Sequence, residues 1–214
     1  MPQLAGLSSA ALLLFAATNL DDLLLLLVIA SDRQRRYRPV AVLAGQLLGF
    51  SAILAISLLG FWSGLVAPER WMACLGLLPL GLGLRQQLAL QAGSGGQDHE
   101  AATGFLGHPE QGAALPSSAR RVVLKVAALT LANGSDNISV YLPLFGRLNL
   151  AQLFITVSIF YAALLGLWGV SQWLSHHQRL QHVVQAMGPR LSPLVLIALG
   201  LWLLKDSVLS PWST

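Results

Sequence analysis

The sequence predicts an all-α membrane protein, with six transmembrane helices arranged as two inverted three-helix repeats. Three observations lead there. The 214 residues are 55% hydrophobic and only 10% charged, with a mean hydropathy of +0.64; a soluble domain carries roughly 25% charged residues. Six stretches reach the length of about 20 apolar residues that a bilayer demands. A Gly-, Ser-, Ala- and Pro-rich segment, 93–119, then divides these stretches three and three.

In chain order the spans are expected at 5–31, 40–66, 71–90, 121–146, 150–174 and 190–209. The first follows MPQLAGLSS, which has no Lys or Arg. A secretory signal opens on a positive region, so this stretch reads as a retained span. The second carries Gly45-x-x-x-Gly49 and Gly60-x-x-x-Gly64, surfaces that let helix backbones approach closely. Its one amide, Gln46, reads as a polar tie between helices. In the third span, Pro79-x-Gly81-x-Gly83 predicts a kink. The fourth is interrupted by Asn133, Gly134 and Asp136, where a local break is expected because these residues are weak helix formers. The fifth is uninterrupted. In the sixth, Lys205 and Asp206 are expected to pair at the outer interface.

Basic residues set the orientation. Arg33, Arg35, Arg36 and Arg38 follow the first span; Arg120, Arg121 and Lys125 begin the fourth; Arg179 and Arg190 precede the sixth. The alternate loops carry only Arg70 and Arg147. The positive-inside rule then places the first, third and fifth loops in the cytoplasm and both termini outside. The same clustering explains the net charge of +4 and the pI of about 9.8 without a nucleic-acid partner. The single cysteine, Cys74, excludes an intrachain disulfide.

The segmentation predicts a first repeat at 1–92, a flexible cytoplasmic linker at 93–119 and a second repeat at 120–214. Three spans per half force the second half to enter the membrane upside down. The halves also match locally. Span one has Asn19-Leu-Asp21-Asp22 and span four has Asn133-Gly-Ser-Asp136-Asn137. In both, Asn and Asp are three apart and share a helix face. Asp22 falls slightly toward the cytoplasm and Asp136 slightly toward the outside, as a pseudo-two-fold axis in the membrane plane requires.

These motifs carry the chemistry. An unpaired charge at mid-bilayer costs about 2.5–3.5 kcal/mol on insertion scales. The sequence places no base at the depth of Asp21, Asp22 and Asp136; Lys125 and Arg85 lie near enough to span ends to snorkel. The acids are therefore protonated or share a cation. Asn19, Asn133 and Asn137 add amide oxygens, and Thr18 and Ser135 add hydroxyls. Carboxylate and amide oxygens together make a hard-donor set for a divalent cation. Cation binding that displaces protons is the chemistry of an antiporter.

The runs ATNLDDLLLL and LTLANGSDNISVYLPLF, with VLAGQLLGF and GLLPLGLGLRQ, resemble the cadmium resistance transporter family. The resemblance covers the chain outside the linker. That family is similar to the lysine-exporter superfamily of six-helix inverted-repeat transporters. The resemblance implies export of Cd²⁺ or a related divalent cation across a prokaryotic plasma membrane. It also implies that Asn19, Asp21, Asp22, Asn133, Asp136 and Asn137 hold the metal. No cofactor is expected to be permanently bound; the transported cation is the substrate and protons are the expected counter-ion. The lipid bilayer is the expected partner, and a homo-oligomer stays open.

Cd²⁺ is soft and favours sulfur, and the only sulfurs in or near the spans belong to Cys74, Met72 and Met187. An oxygen-only site equally suits Mn²⁺ or Ca²⁺. Two other classes compete. An intramembrane aspartyl protease would use two aspartates on different spans, but the motifs lack Tyr-Asp and Gly-x-Gly-Asp, and inverted symmetry has no role in that mechanism. An amino-acid or organic-cation exporter should show aromatics facing the acids, and here the flanks are aliphatic. His176, His177 and His182, and Asp98, His99, Glu100, His108 and Glu110 of the linker, match no closed ligand spacing and read as solvated loops. Tyr141, Thr156 and Tyr161 are candidate pathway residues, though aromatics in spans more often pack.

Overall fold

The computed structural model describes residues 2–30, 38–64, 77–92 and 119–177, then 180, 191, 193–194, 196–198 and 200–201. Every regular element among them is helical. They are α1 (Pro2–Thr18), α2 (Leu20–Ala30), α3 (Pro39–Gly64), α4 (Leu77–Gln91), α5 (Ala119–Asn133), α6 (Ser135–Phe145) and α7 (Leu150–Leu174), with further helical residues between 191 and 201. The sequence-predicted linker, apart from Ala119, lies outside the described residues. So do Arg33, Arg35, Arg36, Arg70, Met72, Cys74, His182, Met187, Lys205 and Asp206.

The two longest helices are apolar on all sides, so sequence alone gives them no polar face to turn to water. Pro39 opens α3, where its fixed φ suits the first helical turn. A capping box opens α7: the Gln152 N–H donates to Asn149 Oδ1 at 2.9 Å, and the Asn149 N–H donates to Gln152 Oε1 at 3.1 Å. Residues Pro39–Trp62 and Leu150–Leu174 are each long and apolar enough to cross a bilayer, and α1 with α2 forms a third candidate bent by 57°. Their outward faces carry Val40, Leu59, Leu150 and Phe154, all exposed. Trp62 and Trp173 stand near helix ends, the place of interfacial aromatics. An exposed apolar surface of this kind belongs in lipid.

The first predicted span, for which no break is expected, is broken at Asn19, between α1 and α2. The interruption expected in the fourth predicted span is present, at Gly134 between α5 and α6. Glycine is not needed there for its backbone freedom, since Gly134 has φ −84° and ψ 19°. What a side chain there would meet is the Ile53 Cδ1 of α3, which would have to move aside, and the Thr130 carbonyl oxygen at 3.0 Å. Pro79 stands in the first turn of α4, and residues 65–76 before that helix lie outside the described residues.

Helix α3 packs along α5 and α6, and α7 packs along α1 and α2. Glycines set the first contact. A Cβ on Gly45 would lie 2.6 Å from Val126 Cβ, one on Gly49 2.7 Å from Thr130 Cβ, and one on Gly60 on the Leu142 carbonyl. The expected close-packing faces are thus in use. Helix α4 packs on α6 and also meets the last helical residues, with Gly83 against Pro193 and Ile197 and Gly200 against Leu80.

The core has two parts. One is aromatic, from Phe15 of α1, Phe50 of α3, Tyr141 and Phe145 of α6 and Phe160 of α7. The other is aliphatic, from Leu25, Leu26 and Ile29 of α2, Val42 of α3, and Val126 and Leu129 of α5. Between the two lie the helix breaks, and with them most of the buried polar side chains.

Candidate cation site between the two helix breaks

The breaks do two things at once. They start α2 and α6 in the middle of the molecule, so the positive ends of two helix dipoles face inward beside Asp21, Asp22 and Asp136, which occupy the first turns. They also end α1 and α5 there, turning carbonyl ends toward the same region. Buried carboxylates are eased by the first effect, and a cation is attracted by the second.

Asp22 is the best connected acid. Its side chain is buried, and Oδ1 accepts from Asn133 Nδ2 at 2.8 Å. Oδ2 accepts from Gln46 Nε2 at 3.3 Å. Gln46 Oε1 in turn accepts from the Thr130 hydroxyl at 3.3 Å. Four side chains from α2, α3 and α5 thus form one chain of hydrogen bonds.

A second group adjoins it. Asn19 Nδ2 donates to the Phe15 carbonyl at 2.8 Å, capping the end of α1, and lies 2.8 Å from the Tyr141 hydroxyl. That hydroxyl is 2.9 Å from Thr18 Oγ1. Asn19 Oδ1 accepts from Asn137 Nδ2 at 3.3 Å. Asn137 Oδ1 is buried and meets no hydrogen-bond donor among the described residues. A buried amide oxygen without a donor is rare and asks for an explanation; a cation ligand is one.

Asp136 is buried and begins α6. Its Oδ1 accepts from the Asn137 backbone N–H at 3.0 Å, an N–H that in an unbroken helix would serve the Asn133 carbonyl. Asp21 and Asp22 are close enough to act on Asp136 electrostatically. Four of the six expected site residues, Asn19, Asp22, Asp136 and Asn137, are buried around the two breaks, and the half-buried Asn133 joins them through its bond to Asp22. Asp21 is also only partly buried, because neighbouring helical residues point about 100° apart. Of the auxiliary hydroxyls, Thr18 joins the cluster.

The contacts bring in three more residues: Tyr141, a candidate pathway residue with Thr156 and Tyr161; Gln46, expected only as a polar tie between helices; and Thr130, which the sequence does not single out. Their spacing along the helices is the missing signal. Gln46 shares the face of Val42, Phe50 and Ile53, all buried against the partner helices. Among the described residues no three His, Cys, Asp or Glu side chains converge to hold a metal ion. Two buried carboxylates with neutral amides are a thin ligand set, suited to an ion that must also leave.

Apolar helices with outward-facing hydrophobic surfaces, and two helix breaks around a buried acidic centre, define a helical membrane protein. A model of the cadmium resistance transporter family matches residues 15–210, and the chain belongs to that family. No curated protein and no solved structure matches it. The family is one of transporters, which sets the protease reading behind transport.

Proposed function

We propose that the protein exports a divalent cation, Cd²⁺ or a related ion, from a prokaryotic cytoplasm in exchange for protons. The observation that carries this reading is the 2.8 Å bond between Asp22 and Asn133, which joins the centres of two broken helices from opposite halves of the chain. Asp22 and Asp136 supply the charge, and Asn19, Asn133 and Asn137 supply neutral oxygens. Asp21, partly buried beside Asp22, belongs at the mouth of the site. Protons return on the same carboxylates once the ion has left.

The architecture proposed for this is six spans in two inverted repeats, 1–92 and 120–214, joined by the 93–119 linker, with both termini outside. Its support is the pairing of elements: α3 lies on the broken span of the second half, and α7 lies on the broken span of the first. The segments QLLGFSAIL of α3 and TVSIFYAAL of α7 also align, placing Phe50 with Phe160 and Ser51 with Tyr161. Those equivalent residues meet one another: the Phe rings are 6.4 Å apart, and the Ser51 and Tyr161 hydroxyls are 2.8 Å apart. Equivalent residues touch where a two-fold axis passes.

The test is uptake by proteoliposomes given Cd²⁺, Mn²⁺, Zn²⁺ and Ca²⁺ in parallel, with a pH dye inside. Ion movement coupled to an opposing pH change is expected. Asp22→Asn and Asp136→Asn should each abolish it while the purified protein stays monodisperse. Full transport by either variant would sink the assignment. The oxygen donors make Mn²⁺ or Ca²⁺ the first alternatives to Cd²⁺.

A further inference from the structure

We infer that Gln46 is itself a ligand of the transported cation, presented by a half-turn of its amide against Thr130. The inference rests on the cation-transport reading above and adds to it a residue outside the two acidic motifs.

Gln46 is fully buried on α3 and touches two groups, Asp22 through Nε2 and Thr130 through Oε1. A glutamine serving only as a tie would make its bonds to whatever neutral group was near. This one spends its amide nitrogen on the charged acid at the centre of the site. Its main chain is packed closely, since Gly45 and Gly49 on either side bring α3 against Val126 and Thr130. The freedom left is rotation of the terminal amide, a soft torsion with two equivalent wells.

Thr130 makes that rotation cheap. A hydroxyl both donates and accepts. It now donates to Oε1; after a half-turn it accepts from Nε2. No hydrogen bond to Thr130 is lost either way. The turn places Oε1 where Nε2 stands, 3.3 Å from Asp22 Oδ2. Two oxygens bound at right angles to one ion, at about 2.3 Å each, stand about 3.3 Å apart. The pair is therefore already at ligand spacing, and only the direction of the amide separates an N–H donor to Asp22 from an oxygen donor to a cation. With the amide nitrogen toward it, Asp22 is satisfied by N–H donors; with the oxygen toward it, the two oxygens repel until a cation lies between them.

The test compares wild type, Gln46→Met, Thr130→Val and Thr130→Ser in proteoliposomes, reading half-saturating concentration and maximal rate for Cd²⁺ and Mn²⁺ uptake. Loss of the amide in Gln46→Met should raise the half-saturating concentration at least about tenfold, the range seen when a group supporting a metal site is removed, with maximal rate changed much less. Thr130→Val, which keeps the shape and removes the hydroxyl, should move it in the same direction, and Thr130→Ser should restore it. If Gln46→Met does not fold, the valine–serine pair still decides the matter. Unchanged half-saturation, or a loss of maximal rate alone, overturns the role of Gln46 and leaves the transport reading standing. Absence of uptake of any divalent ion by wild type overturns both.

Discussion

Tyr141 gives its ring and its hydroxyl to different tasks. The ring packs tilted against Phe160, with centroids 4.6 Å apart, and stacks on Phe145 at 6.1 Å. The hydroxyl meets Thr18 and Asn19 at the first helix break. Tyr141→Phe keeps the ring and removes the hydroxyl, while Asn19 Nδ2 retains the Phe15 carbonyl. The expected cost is about 1 kcal/mol, since polar ties between membrane helices average about 0.6 and reach about 1.7 kcal/mol. At this chain length that is a fall of roughly 2–4 °C in the melting temperature of the detergent-solubilised protein. Thr18→Val should be non-additive with it, because both remove one shared bond; full additivity would show that the bond contributes nothing. The acids and asparagines of the site are legible in the sequence because a carboxylate inside an apolar run admits few explanations. Tyr141 and Gln46 are not, because a lone aromatic or amide in a span is usually packing. Their meaning lies in partners far along the chain, Thr18 standing 123 residues from Tyr141.

Whole helices meet through glycines, and here the local chemistry can be separated from the backbone. Gly134 has an ordinary backbone conformation, so a side chain there is opposed mainly by Ile53. Gly134→Ala is expected to destabilise by about 1–3 kcal/mol as an overpacking change. Ile53→Val, which removes the opposing Cδ1, should recover part of that loss in the double variant; no recovery in a melting experiment would show that the break needs glycine for another reason. Gly60→Ala has no such escape, because its neighbour is the Leu142 main chain, and should cost at least as much. Gly166 and Gly169 on α7 face open space. Alanine at either should be neutral or stabilise by about 0.5–1 kcal/mol through helix propensity. Sequence shows where the spans lie within a few residues: 40–66 against Pro39–Gly64, and 150–174 against Leu150–Leu174. Hydropathy fixes those limits. Gly134 also marks the second break. The first break has no glycine and no proline; there the Phe15 carbonyl accepts from both the main-chain N–H and the side-chain amide of Asn19. The pairing of α3 with α5 and α6 is not legible at all, since a Gly-x-x-x-Gly face says that something packs there and not what.

Across the whole molecule the polar centre is closed at both ends by different materials. Toward the start of α1 and the end of α6 stand five aromatic rings, and Phe160 touches the other four. Toward α2 and α5 the seal is aliphatic, around Leu26 and Val126. Under the proposed transport by alternating access each seal would open in turn while the other holds, so weakening one should bias the molecule toward one side. Phe160→Leu loses the ring contacts with only a small cavity, and Val126→Ala loosens the opposite end. The reporter is a cysteine at Asn137, placed in a background lacking Cys74 and probed with an impermeant thiol reagent on intact cells and on inside-out vesicles. If both termini lie outside, as proposed, Phe160→Leu should speed labelling severalfold on intact cells, and Val126→Ala should do so on inside-out vesicles. The reverse pattern would keep the two seals and invert the orientation. No change in either preparation would mean that the clusters are structural core alone, and that the ion reaches Asp22 and Asp136 by a path running between them.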